Sequence, residues 1–308
     1  MRADFRERLL ECLGGPWPEP CPLDVRVIET KQFDGYRLDK LSYEVEPGDR
    51  VPAYLVVPDG VTKDRPAPGI CVWHQHNGAY DVGKIEPAGL GGAAMHHTGV
   101  ALAREGYVVL CPDAAGFGER QPGKLRGAQL ERFLFLRYVV SGKCLAWKNI
   151  LDMRRAVDLL ASRPEVQADR LGCYGHSMGS THTWLVGPWE PRLKALVGNC
   201  CLPTYAGIHR VELLHCFPNF VPGLFQFGDT PDIAGLIAPR ALHLNLGETD
   251  GGTPIEEARQ GIETIRRAYE AVHAEDQFTW FIEAQTGHVL SPTMWDHVRT
   301  TFAKHLKS

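Results

Sequence analysis

Arg170-Leu171-Gly172-Cys173-Tyr174-Gly175-His176-Ser177-Met178-Gly179-Ser180 passes from a short apolar run, through a glycine-flanked serine, into a helical pattern. The run 170–175 reads as a buried strand and 178–187 as a helix, so the serine falls on a strand-to-helix turn. In that context Gly175-His176-Ser177-Met178-Gly179 is a G-x-S-x-G nucleophile elbow. Side chains larger than hydrogen at 175 and 179 would crowd the turning backbone, and Ser180 keeps the next position small. The turn lifts the Ser177 hydroxyl clear of the sheet. The N-terminus of the following helix favours negative charge developing beside it.

The pattern on either side of the elbow sets the fold class. GICVW (69–73), GYVVLCPD (106–113), RLGCYG (170–175), KALVGNC (194–200), RALHLNLG (240–247) and QFTWFIE (277–283) read as strands. Helical patterns fall at 93–105, 146–162, 178–187, 255–273 and 293–306. Such alternation predicts an α/β fold with a mainly parallel central sheet and helices on both faces. Residues 25–58 instead alternate polar and apolar, which predicts antiparallel strands with a turn near Pro47-Gly48-Asp49. Residues 2–13 read as a short amphipathic helix and 14–24 as an extended connector. The whole of 1–308 is expected to form one domain, with 1–24 as N-terminal helix and connector. Residues 116–145 are a candidate lid or cap, and 202–235, rich in Pro, Phe and His, also stand outside the alternation.

Composition narrows the function classes. The chain has 308 residues, 44% apolar and 23% charged, with a net charge of -4. There is no basic stripe to suggest a nucleic-acid partner and no apolar run long enough for a membrane span. Charges at Arg8 and Glu11 interrupt any signal-peptide core. The nine cysteines are scattered without a CxxC pair, and Cys71, Cys111 and Cys173 lie in strands. Reduced thiols in a cytoplasmic protein are the expectation.

A serine nucleophile needs a base, and the base needs an orienting carboxylate. After an elbow of this kind they follow in the order acid, then histidine. Asp250 lies just past the strand 240–247, with Glu248 as its rival. His288 follows the strand 277–283 in the loop before the final helix. His209 and His215 precede the acid, and His273 and His297 are read as helical. An oxyanion hole needs two backbone N–H groups. Met178 supplies one, and the loop His74-Gln75-His76-Asn77-Gly78 is the source of the other.

At this point the chain resembles an α/β-hydrolase of the dienelactone hydrolase and acetyl xylan esterase-like group. HQHNGAYD (74–81) resembles the H-G-Y-N-x-x-Y-D loop of acetyl xylan esterases and cephalosporin C deacetylases. Asp250-Gly251-Gly252-Thr253-Pro254 is similar to their D-x-x-T-P, and DIAGLIAPRAL (232–242) to the segment leading to it. The likeness covers about residues 40–305. It supports Asp250 as the acid and implies that His76 supplies the second oxyanion N–H. It departs at Met178, where the family usually has Gln, at AGFGER (115–120) in place of R-G-Q, and at His288-Val289 in place of H-E. The chain is read as a related branch with its own substrate.

The expected reaction is hydrolysis of a small-molecule carboxylic ester, with a small acyl group by analogy with that family. No cofactor and no metal are expected; His74, His76, His96 and His97 lack a ligand framework. Glu119 and Arg120 are read as an internal ion pair near the site, with substrate binding as the alternative, and Phe217, Phe220, Phe225 and Phe227 as core or as the wall of a pocket. An acyltransferase on the same triad and a non-catalytic binding protein on a hydrolase scaffold are the alternatives. Self-association into a homo-oligomer is open.

Overall fold

A computed structural model describes residues 2–307. The antiparallel region comprises β1 (Arg26–Phe33), β2 (Tyr36–Glu46) and β3 (Asp49–Pro58). β2 and β3 join through Pro47-Gly48, where Gly48 takes φ +82°, a left-handed value that glycine adopts without steric cost. Along β2, buried and half-buried residues largely alternate, as a strand requires when its two faces differ.

The rest of the sheet is β4 (Ala67–Trp73), β5 (Val108–Pro112), β6 (Val166–His176), β7 (Leu193–Asn199), β8 (Ala241–Gly247) and β9 (Phe278–Glu283). Every residue of β4, β5 and β8 is buried, as continuous apolar runs covered on both faces should be. The order is β1-β2-β3-β5-β4-β6-β7-β8-β9. β4 through β9 run parallel, and β3 joins β5 antiparallel.

The helices are α1 (Arg2–Leu13), α2 (Thr98–Arg104), α3 (Gly127–Val140), α4 (Leu145–Ser162), α5 (Met178–Val186), α6 (Tyr205–Arg210), α7 (Thr230–Gly235), α8 (Ile255–Glu270) and α9 (Pro292–Leu306). Two apolar cores lie on opposite faces of the sheet. One holds Trp147, Leu160, Trp184 and Ile265; the other holds Val109, Tyr174, Val298 and Phe302. The helix read at 93–105 divides into a 3-10 turn at 94–96 and α2. His273, read as helical, lies beyond α8 with φ +57°. A left-handed residue there ends the helix, which is why the pattern overran it.

The topology places the site. From β4 the next strand, β5, lies on one side, and the following one, β6, on the other. The order of the sheet therefore reverses between β4 and β6, and a crevice opens beyond their carboxyl ends. Trp73 pairs with Gly175 there, so the loop 74–78 and the serine turn emerge side by side.

Candidate active site

Ser177 occupies the single-residue turn between β6 and α5, with φ 58° and ψ -121°. Positive φ at a non-glycine residue is strained, and the neighbours enforce it. The Ser177 N–H donates to Asn199 O at 2.8 Å. A Cβ at Gly175 would stand 2.0 Å from the Gly179 backbone, and one at Gly179 would stand 2.1 Å from Trp73 O. The glycines thus let α5 press against the end of β4. Met178, the first residue of α5, is buried. Its N–H has no intrahelical acceptor, like every N–H in a first helical turn.

The loop after β4 is held by its side chains. His74 accepts from Ala114 N–H at Nε2, at 3.0 Å, and its Nδ1 lies 2.8 Å from Gln75 O. Burial holds its pKa below the ordinary value. His76 accepts from Gly78 N–H at Nδ1, so Nε2 carries the proton and donates to Glu131 Oε2 at 3.0 Å. Tyr80 donates to the same oxygen at 2.7 Å. Glu131 belongs to α3, so the segment 116–145 is fastened to the loop that bears His76. The other oxygen, Glu131 Oε1, is buried without a hydrogen-bond partner among the described residues.

Asp250 and His288 are brought together. Asp250 follows β8 and is 5% exposed. Its Oδ1 accepts from Gly252 N–H at 2.8 Å, and its Oδ2 accepts from His288 Nδ1 at 2.7 Å. Glu248, the rival acid, instead accepts from Gln285 N–H at 3.1 Å and from Arg259. The side chain of His288 is 38% exposed. Its ring lies 5.0 Å from that of His176, the residue before Ser177. Among the described residues no hydrogen bond joins Ser177 to His288.

The surroundings contain groups that sequence reasoning did not assign to the site. His176 is neutral, its pKa driven well down by burial. Its ring lies tilted against that of His96, with centroids 4.3 Å apart, and burial also lowers the pKa of His96. His215 donates from Nε2 to Gly252 O at 3.1 Å, and burial pushes its pKa down to about 4. Cys200, read as core packing, has Sγ within 4.8 Å of ligand atoms of both Asp250 and His288. Burial raises that thiol to about 12, and it donates to Val289 O at 3.1 Å. These contacts link residues tens of positions apart, and no local pattern announces them.

Glu119 and Arg120 do not pair with one another. Glu119 meets Lys84 at 2.6 Å and Lys40 at 3.0 Å, and Arg120 meets Asp152 at 2.6 Å. Consecutive side chains diverge at the turn, and each finds a separate cluster. Of the rival histidines, His209 sits on α6 against Phe225, and His297 sits on α9 against His243.

The Abhydrolase family matches residues 2–289 of the chain. YtaP of Bacillus subtilis (strain 168), assigned as a hydrolase by inference, is 31% identical over 280 residues. That alignment spans 89% of this chain and 88% of YtaP. A glucuronoyl esterase from Solibacter usitatus superposes with a TM-score of 0.72 at 18% identity, over 98% of this chain and 91% of its own. Acetyl xylan esterase 1 from Thermoanaerobacterium sp. JW/SL YS485 superposes with a TM-score of 0.64 at 16% identity, over 100% of this chain and 94% of its own. At these identities the two structures speak for the fold.

Proposed function

The chain belongs to the Abhydrolase family, and from that premise we propose that it is a serine esterase using Ser177, His288 and Asp250. The observation that carries this reading is the 2.7 Å bond from His288 Nδ1 to a buried Asp250 oxygen, beside a serine on a strained elbow. With Nδ1 engaged, Nε2 is the nitrogen left for the serine.

His288 takes the Ser177 proton as Oγ attacks the ester carbonyl. The N–H groups of Met178 and His76 receive the oxyanion. The His76 N–H has no partner among the described residues. The acyl–oxygen bond breaks, and the alcohol leaves with the proton from His288. Water, deprotonated by the same nitrogen, then releases the acid and restores Ser177. Asp250 holds the imidazole in the required tautomer and offsets its transient charge.

The acyl group is small, by analogy with the acetyl xylan esterase whose fold the chain shares. The test is hydrolysis of p-nitrophenyl acetate and octanoate by wild type and by Ser177→Ala. Acetate cleaved by wild type, with activity at least 1,000-fold lower in the variant, is the expected result (about the scale of a lost nucleophile). Equal rates for the two proteins would remove Ser177 from the mechanism. Preferential transfer of the acyl group to added methanol would turn the reading to acyltransferase.

A further inference from the structure

The segments 116–145 and 202–235 meet where Phe135 of α3 packs against Phe217, with ring centroids 4.8 Å apart. Both rings line an open groove of about 650 Å³, within the range of pockets that take small ligands. Tyr205, Leu213, Phe220 and Phe225 form much of its wall, and among the described residues no Asp, Glu, Lys or Arg lines it. The Tyr205 hydroxyl is turned away to Asn219 O at 2.8 Å, which leaves its ring to the groove. Leu214, at the rim, is 98% exposed. Bare apolar surface of this kind on a folded chain calls for an occupant.

His215 joins this groove to the site. It lines the groove and also bonds Gly252 in the loop that holds Asp250. The occupant follows from the direction of proton transfer. The histidine that protonates the leaving oxygen lies next to the departing alcohol, whereas the loop 74–78 leaves β4, on the opposite side of β6 from the strands that carry Asp250 and His288. We infer that the groove beside His215 takes the alcohol portion of the ester, and that this alcohol is large, apolar and uncharged. The inference rests on the triad reading given above. It makes the substrate asymmetric, with a small acid joined to a bulky alcohol.

The experiment uses the full chain and acetate esters of methanol, butanol, hexanol and octanol, followed by acid release. A p-nitrophenyl series from acetate to octanoate runs beside it. Along the alcohols, kcat/KM should rise about twofold or more per methylene, a part of the full burial effect. Phe217→Ala should lower the octyl-to-methyl ratio of kcat/KM at least fivefold. In wild type, 1-octanol should inhibit methyl acetate hydrolysis competitively, at concentrations at least tenfold below those of 1-butanol. A flat alcohol series would overturn the inference. So would a rise along the acyl series that Phe217→Ala abolishes, since the groove would then hold the acid. Hydrolysis retained by Ser177→Ala would overturn the nucleophile assignment alone, because octanol inhibition reads the groove directly.

Discussion

Gly179 shows how much of the site rests on the absence of a side chain. A methyl group there would lie 2.1 Å from a backbone oxygen of β4, where no flexible atom can yield. Gly179→Ala is expected to destabilise the protein by about 3 kcal/mol, the upper part of the usual overpacking range. Urea denaturation checks it; a midpoint equal to that of wild type would mean that the close approach of α5 to β4 is not fixed. In the proposed triad Asp250 would act by a different principle. Asp250→Asn preserves shape but favours the wrong tautomer of His288, so kcat should fall about 1,000-fold or more while the fold persists. A loss below tenfold would remove Asp250 from the mechanism. The places of both residues were legible in the sequence, because the strand-to-helix turn and the loop after β8 follow strands readable from their apolar runs. Cys200 and His215 were not, since only the folded sheet carries them to the acid loop.

At the scale of elements, α3 fastens an insertion to the loop after β4. Sequence reading marked 116–145 as a candidate cap but assigned no role to Glu131, because its partners His76 and Tyr80 lie more than fifty positions away. Glu131→Gln keeps the shape and removes the charge from those two bonds. If they aim the His76 N–H, the loss falls on the transition state, so kcat should drop about tenfold with KM for p-nitrophenyl acetate nearly constant. An unchanged kcat with a raised KM would make Glu131 part of ground-state binding instead. The strands were readable from their apolar runs, whereas the pairing of Glu119 and Arg120 was not. Adjacency in sequence says little about which way two side chains leave a turn.

For the whole molecule, acid is the condition that the fold should resist least. Burial pushes His182 down to about 3 and His215 and His243 to about 4, from an ordinary 6.5. In the unfolded chain these rings take up protons once the pH falls through about 6.5, while the folded chain keeps them neutral to about 4. The stability they contribute is therefore full above about pH 6.5 and declines as pH falls from there towards 4. Each ring adds a slope of about 1.4 kcal/mol per pH unit inside that window. Urea midpoints should fall steadily from pH 7 to pH 5, and His182→Gln should make the decline shallower. A midpoint independent of pH over that range would show that these rings are not held neutral.

The proposed function depends on one reactive oxygen, that of Ser177, and covalent labelling tests it most directly. Wild type treated with a fluorophosphonate and digested for mass spectrometry should carry the adduct on the peptide containing Ser177, and His288→Ala should slow labelling at least 100-fold. An unlabelled wild type, or an adduct on another residue, would contradict the assignment of this site.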